Sequence, residues 1–288
     1  MTNSQDGGHE ATAAKRRIDA DPTVSASTEL AVWREKRYVA LGSSFASGPG
    51  IAPRVPGSPR LAGRSQRNYP HLVATAAGLS LTDVTSSGAT CEHLLRSRQY
   101  GQPPQIRSVS AGTDLVTVTI GGNDIGLTPY LLARRLPRPL GLLPPIAKFG
   151  DASAAFRRLA NVENEIVEVL EAVAAHAPHA HILLVNYLSV LGPEAATDTA
   201  VDRHYRHLAE SLAAHTESAA TRTGAELIDA RTPSLGHPPG SPDAWTIDFY
   251  VPLPRRTYPG SPCHPTAAGM AAVADLITTR LRTLTPRR

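Results

Sequence analysis

Four short segments carry residue types that could do chemistry at one site: a presented hydroxyl, a neutral base, and neutral hydrogen-bond donors close to a substrate. In Gly42-Ser43-Ser44-Phe45-Ala46-Ser47-Gly48, small residues around Ser44 let the backbone turn sharply and present a hydroxyl beside its own N–H. In Ser87-Gly88-Ala89-Thr90 the glycine offers a backbone N–H with no side chain in the way. Gly121-Gly122-Asn123-Asp124 combines backbone freedom with a neutral side-chain amide. In Cys263-His264-Pro265-Thr266 a proline stands where a helix can start. His264 is therefore expected at the N-cap, where the positive end of the helix dipole favours a neutral imidazole. Taken singly, these segments read equally well as ordinary turns and helix caps.

Strands and helices must hold such groups in place. Residues 37–41, 81–84, 114–120, 181–185 and 226–228 read as strands, short apolar runs bounded by turn residues. Residues 69–77 read as a helix, with Gly78 placed to end it. Phe156, Leu159, Val162, Ile166, Leu170 and Val173 recur at steps of three and four, so they share one face of a helix over 152–177. Further helices are expected over about 199–223 and from Pro265 onward. Strands alternating with helices imply an α/β fold whose parallel sheet is covered on both faces. In such a sheet ligands gather outside the carboxyl ends of the strands, where the Ser44 and Asn123 segments fall. The leucine- and proline-rich stretch 127–150 breaks the alternation. It is either a surface excursion packed on the domain or an apolar flap beside a site for a greasy substrate.

The chain of 288 residues, 41% hydrophobic and 19% charged, is neither wholly disordered, nor collagen-like, nor a disulfide-built mini-domain. Its length suffices to bury about three quarters of the unfolded surface. We expect a single domain over 35–288, with the insert at 127–150. Before it, a polar tail over 1–34 is expected to be disordered, apart from one helical turn at 27–33. No apolar stretch approaches the ~20 residues of a membrane span, and residues 1–23 lack the apolar run of a secretory signal. A cytoplasmic protein without stable membrane insertion is the expectation. The net charge of +4 is carried by scattered arginines, not by a basic stripe interleaved with aromatics, which argues against nucleic acid. Two cysteines, Cys91 and Cys263, make no disulfide framework. Two buried thiols are the plain reading, and a redox-sensitive pair the sharper one. No Cys/His cluster has metal-ligand spacing, and Gly121–Gly122 lacks the Lys-Ser/Thr ending of a phosphate loop. Neither metal nor cofactor is expected, and the oligomeric state is left open.

In order along the chain, the four segments resemble the signature blocks of the SGNH hydrolases, the GDSL-type lipases and esterases. Tyr38-Val39-Ala40-Leu41-Gly42-Ser43-Ser44 is similar to the nucleophile block and Ser86-Ser87-Gly88-Ala89-Thr90 to the second. Ile120-Gly121-Gly122-Asn123-Asp124 is similar to the third, and His264-Pro265-Thr266-Ala267-Ala268-Gly269-Met270 to the last. The resemblance covers about residues 37–284 and implies a three-layer αβα sandwich with a central parallel sheet. It also implies Ser44 as nucleophile and His264 as general base, with the N–H groups of Ser44 and Gly88 and the Asn123 amide as oxyanion hole. The implied activity is cofactor-independent hydrolysis of carboxylic esters, of a small molecule or a lipid, through an acyl-Ser44 intermediate. Alternatives are a deacetylase or acyltransferase acting on a carbohydrate or specialised metabolite, and a non-catalytic acyl- or glycan-binding relative.

The sequence departs from the family pattern twice. Ser43 stands where the first block usually has aspartate, a loop-organising residue. In addition, the family's triad acid normally stands three residues before the histidine, and here that residue is Ser261. Three groups could orient the ring instead: a backbone carbonyl near Ser261, the carboxylate of Asp243 or Asp248, or the Ser261 hydroxyl. The carbonyl is the favoured reading, because the geometry needs an acceptor and not specifically a charge.

Overall fold

In the computed structural model, which describes residues 29–141, 143–251 and 260–287, five strands form one sheet in the order β2-β1-β3-β4-β5. They are β1 (Arg37–Gly42), β2 (Ser80–Asp83), β3 (Leu115–Thr119), β4 (His181–Val185) and β5 (Glu226–Ile228). All four pairings are parallel. The central strands are buried almost throughout, as near-continuous apolar runs must be when both faces are covered. Their buried hydroxyls are satisfied within the core: Thr117 bonds the Tyr38 hydroxyl at 2.8 Å and Thr119 the Tyr69 hydroxyl at 2.9 Å.

The helices bear clear start and stop signals. Those used below are α1 (Ser44–Ser47), α2 (Tyr69–Ala77), α3 (Cys91–Leu95), α4 (Gly122–Ile125), α5 (Leu127–Arg135), α6 (Ala152–His176), α7 (Ala200–Thr223) and α8 (Ala267–Arg282), with other one-turn helices between them. Asn68 caps α2 by accepting the His71 N–H, and Gly78 ends it at φ 65°. Asp151 caps α6 and Thr199 caps α7. The α6 stripe buries Leu159, Val162, Ile166, Leu170 and Val173, and α6 packs along α7 while α2 packs along α8.

Chain direction decides which face each helix covers. From β1 the chain passes through α2 outward to β2; from β3 it passes through α6 and α7 the opposite way, to β4 and β5. Right-handed crossovers therefore place α2 on one face and α6 and α7 on the other. The neighbours β1 and β3 flank the point of reversal, and their carboxyl ends open a crevice there. Family resemblance and topology thus agree on a sheet layered between helices, the architecture read from the sequence.

Three local readings need correction. The second strand begins at Ser80, one residue earlier than expected. The last helix begins at Ala267 and not at Pro265: Thr266 is its N-cap, accepting the Gly269 N–H at 3.0 Å. His264 is thus not the N-cap, because Pro265 is engaged in a bridge with Thr246 before the helix starts. The stretch 127–150 is neither purely a surface excursion nor purely a flap. Its first part is α5, which buries Leu127, Tyr130 and Leu131 in the core, while Leu140 and Leu143 farther on are exposed. At the amino end, the turn expected at 27–33 is helical over its described part, and Leu30 and Trp33 are buried. The Trp33 indole donates to Leu281 O at 3.0 Å. Residues 1–28 of the expected tail lie outside the described residues.

Candidate active site

Ser44 leaves β1 through a turn that only glycine can make. Gly42 has φ +142°, and a Cβ there would stand 2.6 Å from Thr119 O. Gln105 clamps this glycine from both sides, accepting its N–H at 2.7 Å and donating to its carbonyl at 3.1 Å. Ser43 then donates its N–H to Thr119 O, and Ser44 opens α1. Among the described residues neither the Ser44 N–H nor the Gly88 N–H has an acceptor. Gly88 sits at φ +77°, a conformation that favours glycine.

Asn123 lies in α4, directly beyond β3. Its side-chain amide donates to Ala89 O at 2.9 Å, which leaves the second amide hydrogen free. A second bond, Cys91 N–H to Asp124 Oδ1 at 2.8 Å, ties the same two turns together. The donor groups of both turns are therefore fixed against each other before any substrate arrives.

His264 is held by its own backbone and by the loop that follows Ser44. Ile247 N–H donates to His264 O at 2.9 Å and Cys263 N–H to Ile247 O at 3.0 Å. Ser261 N–H donates to Pro49 O at 3.2 Å. The ring packs on Phe45 with centroids 5.5 Å apart. Its Nδ1 donates to Pro262 O at 2.8 Å, so Nε2 carries the lone pair. Although the ring keeps some exposure through the cleft, burial pushes its pKa below the ordinary imidazole value, with the Pro262 carbonyl pulling the other way.

Ser44, Gly88, Asn123, Ser261 and His264 all line one cleft of about 460 Å³. No hydrogen bond joins Ser44 Oγ directly to the imidazole; contacts of this kind commonly tighten only in the substrate complex. The other orienting groups considered for His264 are placed elsewhere. Asp243 Oδ2 lies 2.6 Å from His237 Nδ1, and Asp248 Oδ1 lies 3.2 Å from Arg135 Nη1; both carboxylates are largely exposed. The Ser261 hydroxyl makes no bond to the ring.

Two supporting residues were missed in the sequence. One is Gln105. The other is Tyr187, just past the carboxyl end of β4, whose hydroxyl accepts the Gly122 N–H at 3.0 Å and bonds Ser43 Oγ at 2.9 Å. Tyr187 thus joins the first and third blocks through the serine that replaces the usual aspartate. Its ring fills the space that a Cβ at Gly122 would need, at 2.7 Å. A tyrosine two residues beyond a strand's carboxyl end was a findable clue.

Both cysteines are buried and free, and burial pushes the Cys263 thiol up to about 12. Cys91 Sγ and carboxylate oxygens of Asp124 and Glu165 lie within 4.8 Å of one another, the one such trio among the described residues. Burial raises all three, and the mutual proximity of their charges adds to the rise for Cys91 and Glu165. Sequence spacing could not announce this group, because its members come from three separate elements.

Known proteins resemble the chain over most of its length. The model of the GDSL-like Lipase/Acylhydrolase family matches residues 40–272. The chain is 34% identical over 217 residues to Lipase 2 of Streptomyces coelicolor, covering 69% of this chain and 71% of that one. It is 29% identical over 239 residues to a lipase of Streptomyces rimosus, covering 81% and 82%. Among solved structures, an extracellular lipase of Streptomyces rimosus aligns with a TM-score of 0.66 at 26% identity, covering 85% of this chain and 98% of that one. A phospholipase A1 of Streptomyces albidoflavus shares the fold with a TM-score of 0.64 at 24% identity. A nucleophile-block turn, an Asn-bearing turn and a histidine loop meeting at one sheet edge, together with these matches, place the chain in the GDSL-like Lipase/Acylhydrolase family.

Proposed function

We propose that the protein hydrolyses carboxylic esters through an acyl-Ser44 intermediate, with a Ser44–His264 dyad in place of a triad. The observation that carries the reading is the His264 Nδ1 bond to Pro262 O, which aims a basic Nε2 into the cleft that Ser44, Gly88 and Asn123 share. Ser44 Oγ attacks the ester carbonyl while His264 Nε2 takes its proton. The N–H groups of Ser44 and Gly88 and the free amide hydrogen of Asn123 receive the oxyanion. Collapse of the tetrahedral species breaks the bond to the leaving alkoxide, which takes the proton from His264. Water, deprotonated by the same imidazole, then attacks the acyl-enzyme and releases the acid and Ser44.

Covalent labelling is the direct test. An organophosphonate ester should add its mass to the Ser44 peptide alone, and an unlabelled but folded protein would leave a non-catalytic acyl- or glycan-binding relative as the better reading. Replacing Asn123 by alanine should lower kcat by roughly 10²–10³-fold with KM little changed, the usual loss for one preorganised oxyanion donor. The acid limb of kcat/KM should fall below pH ~6.5, the ordinary imidazole pKa. The sign follows from the base: His264 must be neutral to accept a proton, burial lowers its pKa, and so activity persists to lower pH before protonation removes it.

The cleft wall favours an acyl chain over a bare acetyl group. Leu61, Pro129 and Leu132 line it, and Leu61 is 69% exposed, an apolar side chain on open display. With nitrophenyl esters, kcat/KM is expected to rise from acetate by up to about fourfold per added methylene, the equivalent of ~0.8 kcal/mol of buried CH₂. A strong acetate preference would instead indicate a deacetylase.

A further inference from the structure

A second cavity, of about 130 Å³, lies behind the wall of the catalytic cleft. The two spaces use alternate residues of the same turns: Gly63 and Ser87 face the cleft, while Ala62, Arg64 and Ser86 face the cavity. None of the cavity's lining residues is acidic. Arg64 is nearly buried, and only its Nε is engaged, donating to Thr85 O at 3.0 Å with Asp83 Oδ1 3.6 Å away. Asp83 is itself shared among Asn68, Thr85 and His71. Among the described residues no acceptor takes the Nη groups of Arg64.

Two further lining side chains add polarity of opposite kinds. His93 Nδ1 accepts the Thr90 N–H at 3.1 Å, so the neutral ring carries its proton on Nε2, a free donor. Gln99 donates through Nε2 to Ser87 O at 3.0 Å, and its Oε1 is a buried acceptor without a partner. An unpaired guanidinium edge and an imidazole N–H call for an anion, while a buried unpaired carbonyl calls for an O–H. A cavity of this size is close to one that holds a molecule of about six non-hydrogen atoms.

The geometry points to a binding site for a small hydroxycarboxylate, its carboxylate on Arg64 and His93 and its hydroxyl on Gln99. The site is separate from the ester-hydrolysing cleft and does not depend on the role of Ser44. It adjoins both loops that build the cleft, because Gln105, a cavity residue, clamps Gly42, and Gln99 clamps Ser87.

Calorimetric titration with sodium lactate, against sodium chloride at equal ionic strength, tests this on the wild type and on Ser44→Ala. Saturable one-to-one binding is expected in both, with Kd on the order of 1 mM. Propanoate, which lacks the hydroxyl, should bind at least about tenfold more weakly, and glycerol, which lacks the charge, should not bind. Arg64→Gln should weaken lactate by about tenfold or more. Gln99→Leu leaves the Arg64–Asp83 pair in place and should erase the preference for lactate over propanoate. No saturation by lactate, equal binding of lactate and propanoate by the wild type, or lactate binding unchanged in folded Arg64→Gln would each overturn the assignment.

Discussion

Replacing Ser44 by alanine is expected to lower kcat for ester hydrolysis by roughly 10⁴–10⁶-fold, the scale on which removing a serine nucleophile acts in other hydrolases. The residual rate should come from the oxyanion donors, which the substitution leaves in place. The fold should not suffer. Ser44 is buried at the first position of α1, and among the described residues its hydroxyl makes no hydrogen bond within the core. Loss of a free hydroxyl at such a place leaves no orphaned partner. The melting temperature of Ser44→Ala should therefore stay within a few degrees of the wild type, while the organophosphonate label disappears. If Ser44→Ala retained most of the turnover, the nucleophile would have to be another residue of the cleft.

Replacing His264 by glutamine should cost about 10⁴-fold in kcat, because the nucleophile then loses its base while the cleft keeps its shape. The informative comparison is with the two acids that sequence reading left as candidate partners. Asp243→Asn and Asp248→Asn should each keep kcat within about twofold of the wild type. Their carboxylates are engaged with His237 and Arg135, whereas the ring's Nδ1–H goes to Pro262 O at 2.8 Å. A charged triad aspartate does two things, fixing the tautomer and stabilising the imidazolium that forms during attack. A carbonyl does the first and supplies only a dipole for the second. Should either Asp→Asn variant lose turnover while folded, the carbonyl would not be the group that orients His264.

Most of the scaffold was legible because its signals are local. The periodic stripe from Phe156 to Val173, the Gly78 stop after 69–77 and the apolar run of β3 each report a single element, and each element stands within a residue or two of its expected bounds. The four chemical segments were legible for the same reason, since each is contiguous in sequence. The error at the last helix has a physical cause as well. Pro265 is suited to a first helical turn, but its bridge to Thr246 holds that residue extended, and the cap passes to Thr266. A contact with a segment some twenty residues away overrode a local preference.

By itself, then, the sequence determined the alternation of strands and helices, the four candidate segments and the absence of an acid three residues before His264. Only the tertiary structure decided which group bonds Nδ1 of His264, which residue links Ser43 to Gly122, and that Arg64, His93 and Gln99 share a cavity. The division has one origin. Turns, caps and periodic faces depend on residues within a few positions of one another. The partner of a ring nitrogen or a buried hydroxyl is set by how distant segments pack, as Tyr187 and Ser43 do across 144 positions of chain.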